Sequence, residues 1–549
     1  MNGVNTAQTA MQGNDRHTAA ALVEMMLRPQ SYAHRPSAVE LRQTHISYAF
    51  LAGEFVYKIK KPVRFSFIDA STLERRHHLC LEEVRLNRRL APDVYLGVVP
   101  IVRRDGRLVL AEAEDDGGGG VAEEYAVKMR RLADDGMLDR MVAAGNVSVA
   151  QIRAIAARVA AFHAAAGVDA AKAWSYGSAA AVWRLVRGNL LEVENDCAET
   201  ADAGEIAELE RFVQRFGELR WGLLNRRAAE GRVREGHGDL RCEHVSLADN
   251  AIRIIDCVEF SEGLRYVDGA SDVAFLAMDL DRLGAGELAD EFVAAYREGS
   301  GDDELALMLP FYRLHRALVR AKVESLTGRD ARISPERRSA AVSAARNYLA
   351  LARGYAREAG PALVVVCGMS GSGKSTVARR LQERTGFDLL RSDLVRKRLA
   401  GVAPTVRLTA DYGAGAYSSE FTERTYAAML TEAAERLGEG AGVIADATFS
   451  TPQWRARARQ TAERAGVPVL FVECVAREQE ILRRLATRER RADDASDATA
   501  AVYLAQRARF APLSEIPERL RVAADTTHGA VAAIPTIRKR LLDLRRADD

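Results

Sequence analysis

At 549 residues the chain exceeds what one ordinary hydrophobic core supports, so two or three domains are expected. A formal net charge of +2, with 48% hydrophobic and 28% charged residues, is the balance of a globular protein and argues against a nucleic-acid or membrane-surface binder. Cys80, Cys197, Cys242, Cys257, Cys367 and Cys474 form no C-x-x-C pair, no apolar run approaches the ~20 residues of a membrane span, and no export signal is visible. Reduced thiols in a cytoplasmic protein are the expectation.

Residues 1–20 read as a polar, alanine-rich tail, and 1–30 as a flexible leader with a helical turn or two over 21–27. Aromatic and β-branched stretches at 45–51 and 54–60, joined across Gly53, predict a hairpin. A charged amphipathic helix follows over 71–90, then strands at 98–102 and 108–110 flanking Asp105-Gly106. A loop at 115–120 leads to a strand at 123–129. Beyond it the pattern turns helical, at 149–165, 180–193, 205–229, 268–297 and 305–356. An irregular stretch at 236–244 and an apolar run at 252–258 interrupt those helices.

A boundary is expected near Glu358-Ala-Gly-Pro361, giving domains over 31–358 and 359–549. After it the rhythm becomes strand–helix–strand, with strands at 363–367, 387–391, 443–445, 467–475 and 520–523. That alternation predicts a parallel sheet covered by helices on both faces.

The stretch 363–376, LVVVCGMSGSGKST, runs from an apolar strand through a glycine-rich turn into a helix and fits G-x-x-x-x-G-K-[ST]. In such a loop the backbone N–H groups converge on phosphate oxygens at the positive end of a helix dipole. Gly368, Met369, Ser370, Gly371, Ser372, Gly373, Lys374, Ser375 and Thr376 are therefore read as binding ATP. Lys374 reaches the β- and γ-phosphates, and the Ser375 hydroxyl is a candidate Mg²⁺ ligand.

In the first half, His237-Gly238-Asp239 is followed seventeen residues after the aspartate by Ile254-Ile255-Asp256. With the strands and helix upstream, residues 35–350 resemble the aminoglycoside phosphotransferase family, small-molecule kinases of protein-kinase architecture. The resemblance implies that Asp239 accepts the substrate hydroxyl's proton and that Asp256 binds Mg²⁺. It assigns phosphate binding to Lys58, with Lys60 two residues on as the alternative, and makes Glu83 or its neighbour Glu82 the lysine's partner. Two positions depart from the pattern. His244 stands five residues after Asp239, where the family has a metal-binding asparagine, and is the candidate ligand there, since an imidazole can ligate a metal although it prefers softer ions than Mg²⁺. No G-x-G-x-x-G precedes Lys58, and the 44–47 turn is the candidate substitute. His237 is read as holding the loop.

The second half resembles the small P-loop kinases, the group with gluconate kinase, polynucleotide kinase and zeta-toxin-like proteins. By that resemblance Asp393, in Arg391-Ser392-Asp393, is the candidate base, and Arg396 contacts substrate or phosphate. Asp446, ending the third strand, is a candidate Mg²⁺ contact through water or a substrate contact. Arg484 and Arg488, four apart on one helix face, are candidate lid arginines, with 492–497 as a mobile segment after them.

The expected fold class is mixed α/β and α+β, a two-lobed protein-kinase-like domain followed by a doubly wound parallel-sheet P-loop domain. The expected activity is ATP- and Mg²⁺-dependent phosphoryl transfer to a hydroxyl of a small molecule, with two ATP sites. Two other readings compete: a first half that is a nucleotide- or metabolite-sensing pseudokinase, or a zeta-toxin-like kinase of a sugar nucleotide. The sequence leaves the acceptor and the oligomeric state open.

Overall fold

The computed structural model describes residues 13–65, 68–104, 106–111, 121–196, 203–331, 333–403, 406, 415–491 and 498–548. Asp105, the 115–120 loop, Cys197 and the 492–497 segment lie outside them. By packing the chain falls into two compact units, Met1–Ser178 with Arg227–Ala285, and Ala179–Arg226 with Gly286–Asp549.

The first unit is built on a six-stranded antiparallel sheet. Its strands are β1 (Val39–Gln43), β2 (Ser47–Ala52), β3 (Phe55–Lys60), β4 (Tyr95–Arg104), β5 (Arg107–Leu110) and β6 (Ala122–Arg130), in the order β1-β2-β3-β6-β4-β5. Gly53 makes the β2–β3 turn at φ +62°, a conformation that favours glycine. One face buries Phe50, Tyr57, Ile59, Ile101 and Ala126 with Leu22 and Met26 of helix α1 (Gly13–Met26). That helix starts inside the stretch expected as tail. Its last turns carry Leu22 and Met26, whose burial against the sheet stabilises helix where an isolated segment would be marginal. The other face takes helix α2 (Leu73–Asn87), which sets Cys80 and Val84 against Val127 and Met129. Thr72 caps α2 by accepting the Arg75 N–H. Further on, Val233–Glu235 pairs antiparallel with Tyr266–Asp268, and α3 (Gly269–Arg282) follows under an Asp268 cap.

The second unit contains a five-stranded, all-parallel sheet. Helices α4 (Gly286–Ser300), α5 (Leu305–Arg329) and α6 (Pro335–Glu358) belong to it with the sheet. The sheet consists of β7 (Leu363–Cys367), β8 (Asp388–Arg391), β9 (Val443–Asp446), β10 (Val469–Val475) and β11 (Arg521–Asp525), in the order β8-β9-β7-β10-β11. Every residue of the central strand β7 is buried, as a strand covered on both faces requires.

The helical stretch expected over 305–356 is two helices, because Ser334 caps and Pro335 opens a new one. The stretch over 268–297 is likewise two, parted at Gly284 with φ +77°. Helix α7 (Lys374–Thr385) follows the glycine-rich loop and is tied to α4 by buried and half-buried ion pairs. Arg380 meets Glu291 at 2.9 Å, Arg297 meets Glu383 at 2.8 Å, and Arg384 pairs with Asp290. Among the described residues, no single helix is long and apolar enough to cross a membrane.

Candidate active sites

In the first unit, β3 and α2 bring a lysine pair onto one carboxylate. Lys58 Nζ lies 2.8 Å from Glu83 Oε1 and 2.6 Å from Asp256 Oδ1. Lys60 Nζ lies 2.6 Å from Glu83 Oε2 and also pairs with Glu259. Both lysines leave the same face of β3, as period-two spacing dictates. They end differently, because Lys58 faces Asp256 while Lys60 is sealed between Glu83 and Glu259. Glu82 instead pairs with Arg85 at the surface.

The electrostatics follow from this crowding. Burial opposes the charge on Lys58, but Asp256 and Glu83 outweigh it and hold its pKa well above the usual range. Burial alone would raise Glu83 and Asp256, yet Lys58 with Lys60, and Lys58 with His244, hold them below the ordinary carboxylate range. All three groups are charged at neutral pH. Asp256 sits at φ +67°, an uncommon conformation for a residue with a Cβ, and its N–H donates to Tyr95 Oη at 3.1 Å.

The loop bearing Asp239 is held from below by α3. The His237 and Gly238 N–H groups donate to the Asp272 carboxylate at 2.7 and 2.9 Å, and the Cys242 N–H donates to Asp279 at 3.0 Å. Gly238 has φ +85°, and a Cβ there would stand 2.7 Å from the Leu264 carbonyl. His237 donates from Nε2 to the Ile255 carbonyl at 2.9 Å and accepts the Asp239 N–H at Nδ1. Burial pushes its pKa down to about 4, so it is a neutral brace.

The Asp239 carboxylate is gripped by both sides of the Arg241 fork, at 2.9 and 3.1 Å. His244 donates from Nδ1 to the Asp239 carbonyl at 2.8 Å and turns Nε2 toward Asp256 Oδ2, 3.7 Å away. Of the 44–47 turn, the Ile46 and Ser47 N–H groups already donate to the Thr44 hydroxyl.

In the second unit the glycine-rich loop joins β7 to α7. Gly368, Gly371 and Gly373 take φ +134°, +80° and +87°. Among the described residues, the N–H groups of Gly371, Gly373, Lys374 and Ser375 make no hydrogen bond, so four donors converge at the helix N-terminus. Lys374 Nζ donates to the Met369 carbonyl at 2.8 Å. Ser375 Oγ donates to Asp446 Oδ2 at 2.7 Å, across the β7–β9 pairing that sets Val366 beside Asp446. Arg391, at the end of β8, reaches the same Asp446 oxygen at 3.6 Å.

Asp393 lies in the first turn of α8 (Ser392–Leu399), and no side-chain cap is made there. Arg396 is buried against Thr422 and the Ala416 carbonyl, over the Tyr417 ring, just before α9 (Ser419–Gly438). The arginines of α10 (Glu478–Arg491) diverge. Arg484 folds onto the loop, donating to Thr526 Oγ1 at 3.0 Å and pairing with Glu480 at 2.8 Å. Arg488 lies one turn further along, half-buried.

The fit to Mg²⁺ differs between the units. Ser375 and Asp446 offer two oxygens within one hydrogen bond, the donor chemistry Mg²⁺ accepts alongside phosphate oxygens. In the first unit the candidates are one carboxylate, already on Lys58, and one imidazole, a poorer match for a hard cation. Among the described residues, no group of three or more His, Cys, Asp or Glu side chains is arranged to hold a metal by itself.

Several site residues escaped the sequence reading: Glu259, Arg241, Asp272 and Asp279 in the first unit, and Arg391, Thr526 and Gln506 in the second. Arg241 was within reach, two residues from Asp239. Arg391, two residues before Asp393, and Glu259, three after Asp256, are also close in sequence, whereas Asp272, Asp279, Thr526 and Gln506 meet the site from distant chain positions.

A family model described as an AAA domain matches residues 363–513. The uncharacterized protein Rv2004c of Mycobacterium tuberculosis is 35% identical over 477 residues, covering 86% of this chain and 90% of its own. The uncharacterized protein Mb2027c of Mycobacterium bovis matches to the same extent, with 35% identity and the same coverage. Among solved structures, a choline/ethanolamine kinase family protein from Mesorhizobium loti is 13% identical, covering 61% of this chain and 99% of its own at a TM-score of 0.35. The Mycobacterium tuberculosis APS kinase, in complex with AMPPNP and APS, is 23% identical, covering 34% of this chain and 98% of its own at a TM-score of 0.23. The chain belongs to the same family as the two mycobacterial proteins, and residues 363–513 of its second unit match the AAA domain model.

Proposed function

We propose that this protein is an ATP-dependent phosphotransferase with a nucleotide site in each unit, passing the γ-phosphate to a hydroxyl of a small molecule. The observation that carries the reading is the Ser375–Asp446 contact at 2.7 Å beside four open loop N–H groups. Mg²⁺, when bound with ATP, supplies charge neutralisation at the β- and γ-phosphates, and Ser375 with Asp446 would hold it. Lys374 exchanges the Met369 carbonyl for phosphate oxygens. Asp393 accepts the proton of the acceptor hydroxyl, while Arg484 and Arg488 offset charge on the transferring group. Arg396 orders the segment around Tyr417 next to Asp393. In the first unit Lys58, oriented by Glu83, takes the nucleotide phosphates, and Asp239 serves its own acceptor.

The test is ADP release over a panel of sugars, nucleosides and amino alcohols by wild type, Lys374→Ala and Asp239→Asn. Loss of distinct activities in the two variants supports two sites. Full activity in both sinks the proposal.

A second reading makes the first unit a regulatory nucleotide or metabolite sensor. It is favoured by the grip of Arg241 on both Asp239 oxygens and by an imidazole, His244, in the metal-ligand position. Under it, Asp239→Asn leaves every activity intact while Lys374→Ala abolishes all.

A further inference from the structure

The loop at 368–375 is clasped from one side by α10 and by α11 (Ala500–Arg507), and neither helix carries a loop motif of its own. Gly371 presses on α10, where an added Cβ would stand 2.9 Å from Ile481 Cγ2 and 3.1 Å from Leu485 Cγ. Met369 packs into a small cluster with Ile481, Leu485 and Tyr503. One helical turn after Tyr503, Gln506 is buried and its Oε1 accepts the Ser370 N–H at 2.8 Å. Thr526, at the end of β11, donates to the Ser372 carbonyl at 2.7 Å.

These contacts divide the loop's polar groups into two sets. The N–H groups of Gly371, Gly373, Lys374 and Ser375 stay open, whereas that of Ser370 and the carbonyl of Ser372 are tied to the flanking helix and strand. Three glycines at positive φ make this loop soft, because glycine has the most backbone freedom to lose. An anion cradle binds best when its donors are already aimed.

We propose that Gln506 is a positioning residue for nucleotide binding. Its side-chain oxygen takes the Ser370 N–H, which lies outside the cradle, and thereby fixes the open four toward phosphate. The proposal rests on the reading of this loop as an ATP site.

The test compares full-length wild type, Gln506→Met and Gln506→Glu. Titration calorimetry with Mg-ATP reads affinity, and hydrogen exchange of peptides covering 365–375 in nucleotide-free protein reads the loop. Methionine keeps the volume and lacks the acceptor. It is expected to weaken ATP binding about fivefold, the worth of one neutral hydrogen bond, and to speed exchange in those peptides. Glutamate keeps an acceptor, so loop protection should match wild type whatever its charge does to affinity. Unchanged affinity and exchange in Gln506→Met, or tighter binding, overturns the proposal. If methionine also loosens the packing of α11, glutamate decides, and loss of loop protection in that variant overturns it. Equal ATP binding by wild type and Lys374→Ala would instead refute the ATP reading, with the exchange comparison still testing the Gln506 contact.

Discussion

Replacing Lys60 with methionine removes one positive charge from a buried cluster that has no spare. The Lys60 side chain is 1% exposed and Glu83 0%, and among the described residues the Glu83 oxygens meet the two lysines, Lys58 and Lys60. In the variant Glu83 keeps Lys58 alone, and Glu259 loses the cation against which it is buried. Breaking a buried pair on one side costs about 3–5 kcal/mol, a large share of the roughly 5–15 kcal/mol that holds an ordinary domain.

Urea denaturation followed by tryptophan fluorescence should show that loss, and Lys60→Met with Glu259→Gln should regain about 2 kcal/mol by removing the stranded charge. The pH dependence has a definite sign. Burial already raises the pKa of Glu259 and Lys60 opposes that, so the single variant raises it further. The folded state then binds the extra proton, and the deficit shrinks as pH falls from the raised folded value toward the unfolded one. A loss under about 1 kcal/mol, or a double variant no more stable than the single, would refute the argument that these charges hold one another.

Ser375→Ala removes the hydroxyl bonded to Asp446, and ATP affinity in Mg²⁺ should fall about tenfold, the worth of a hydrogen bond to a charged group. Titration with and without Mg²⁺ checks it, since an undiminished benefit from the metal would exclude Ser375 as its ligand. Gly371→Ala adds both a left-handed strain of about 1–2 kcal/mol and a clash with Ile481, and should weaken ATP binding. Gly401→Ala, at φ +70° with nothing within 4 Å of the added Cβ, carries the strain alone and should leave affinity unchanged. Acid should destabilise the first unit through His237. With its pKa near 4 when folded against an ordinary 6.5, the unfolded chain binds the extra proton, so stability falls from pH 6.5 toward 4. At pH 5 the loss is about 2 kcal/mol, and His237→Gln should flatten the difference between urea midpoints at pH 7 and pH 5.

The glycine-rich loop is legible in the sequence because its chemistry is contiguous. A phosphate cradle needs glycines at positive φ, then a helix, then Lys374 and Ser375, all within one short stretch. The strands of the second unit are legible for a related reason, since parallel strands buried on both faces read as plain apolar runs. In the first unit β2 to β6 follow from alternation and from Gly53, whereas β1 and the short pair Val233–Glu235 with Tyr266–Asp268 take no bounds from the sequence. Helix starts are less secure where the deciding contact is distant, as for α1, whose stability comes from Leu22 and Met26 meeting the sheet.

What the sequence settles by itself, then, is local: the loop, the alternation of strands and helices after 362, and the Asp239–Asp256 spacing. Which of two lysines faces the site is not local. Lys58 and Lys60 share a face of β3, and only the positions of Asp256 and Glu259, some 200 residues on, separate an accessible cation from a sealed one. The same holds for Ser375 with Asp446, brought together by parallel pairing, and for Gln506, delivered to Ser370 by the packing of Tyr503 on Met369. The assignment of α4 to the unit of the parallel sheet also rests on such contacts, through Asp290, Glu291 and Arg297 against α7. Each joins groups with no spacing rule between them, so only the folded chain decides which charges and donors meet.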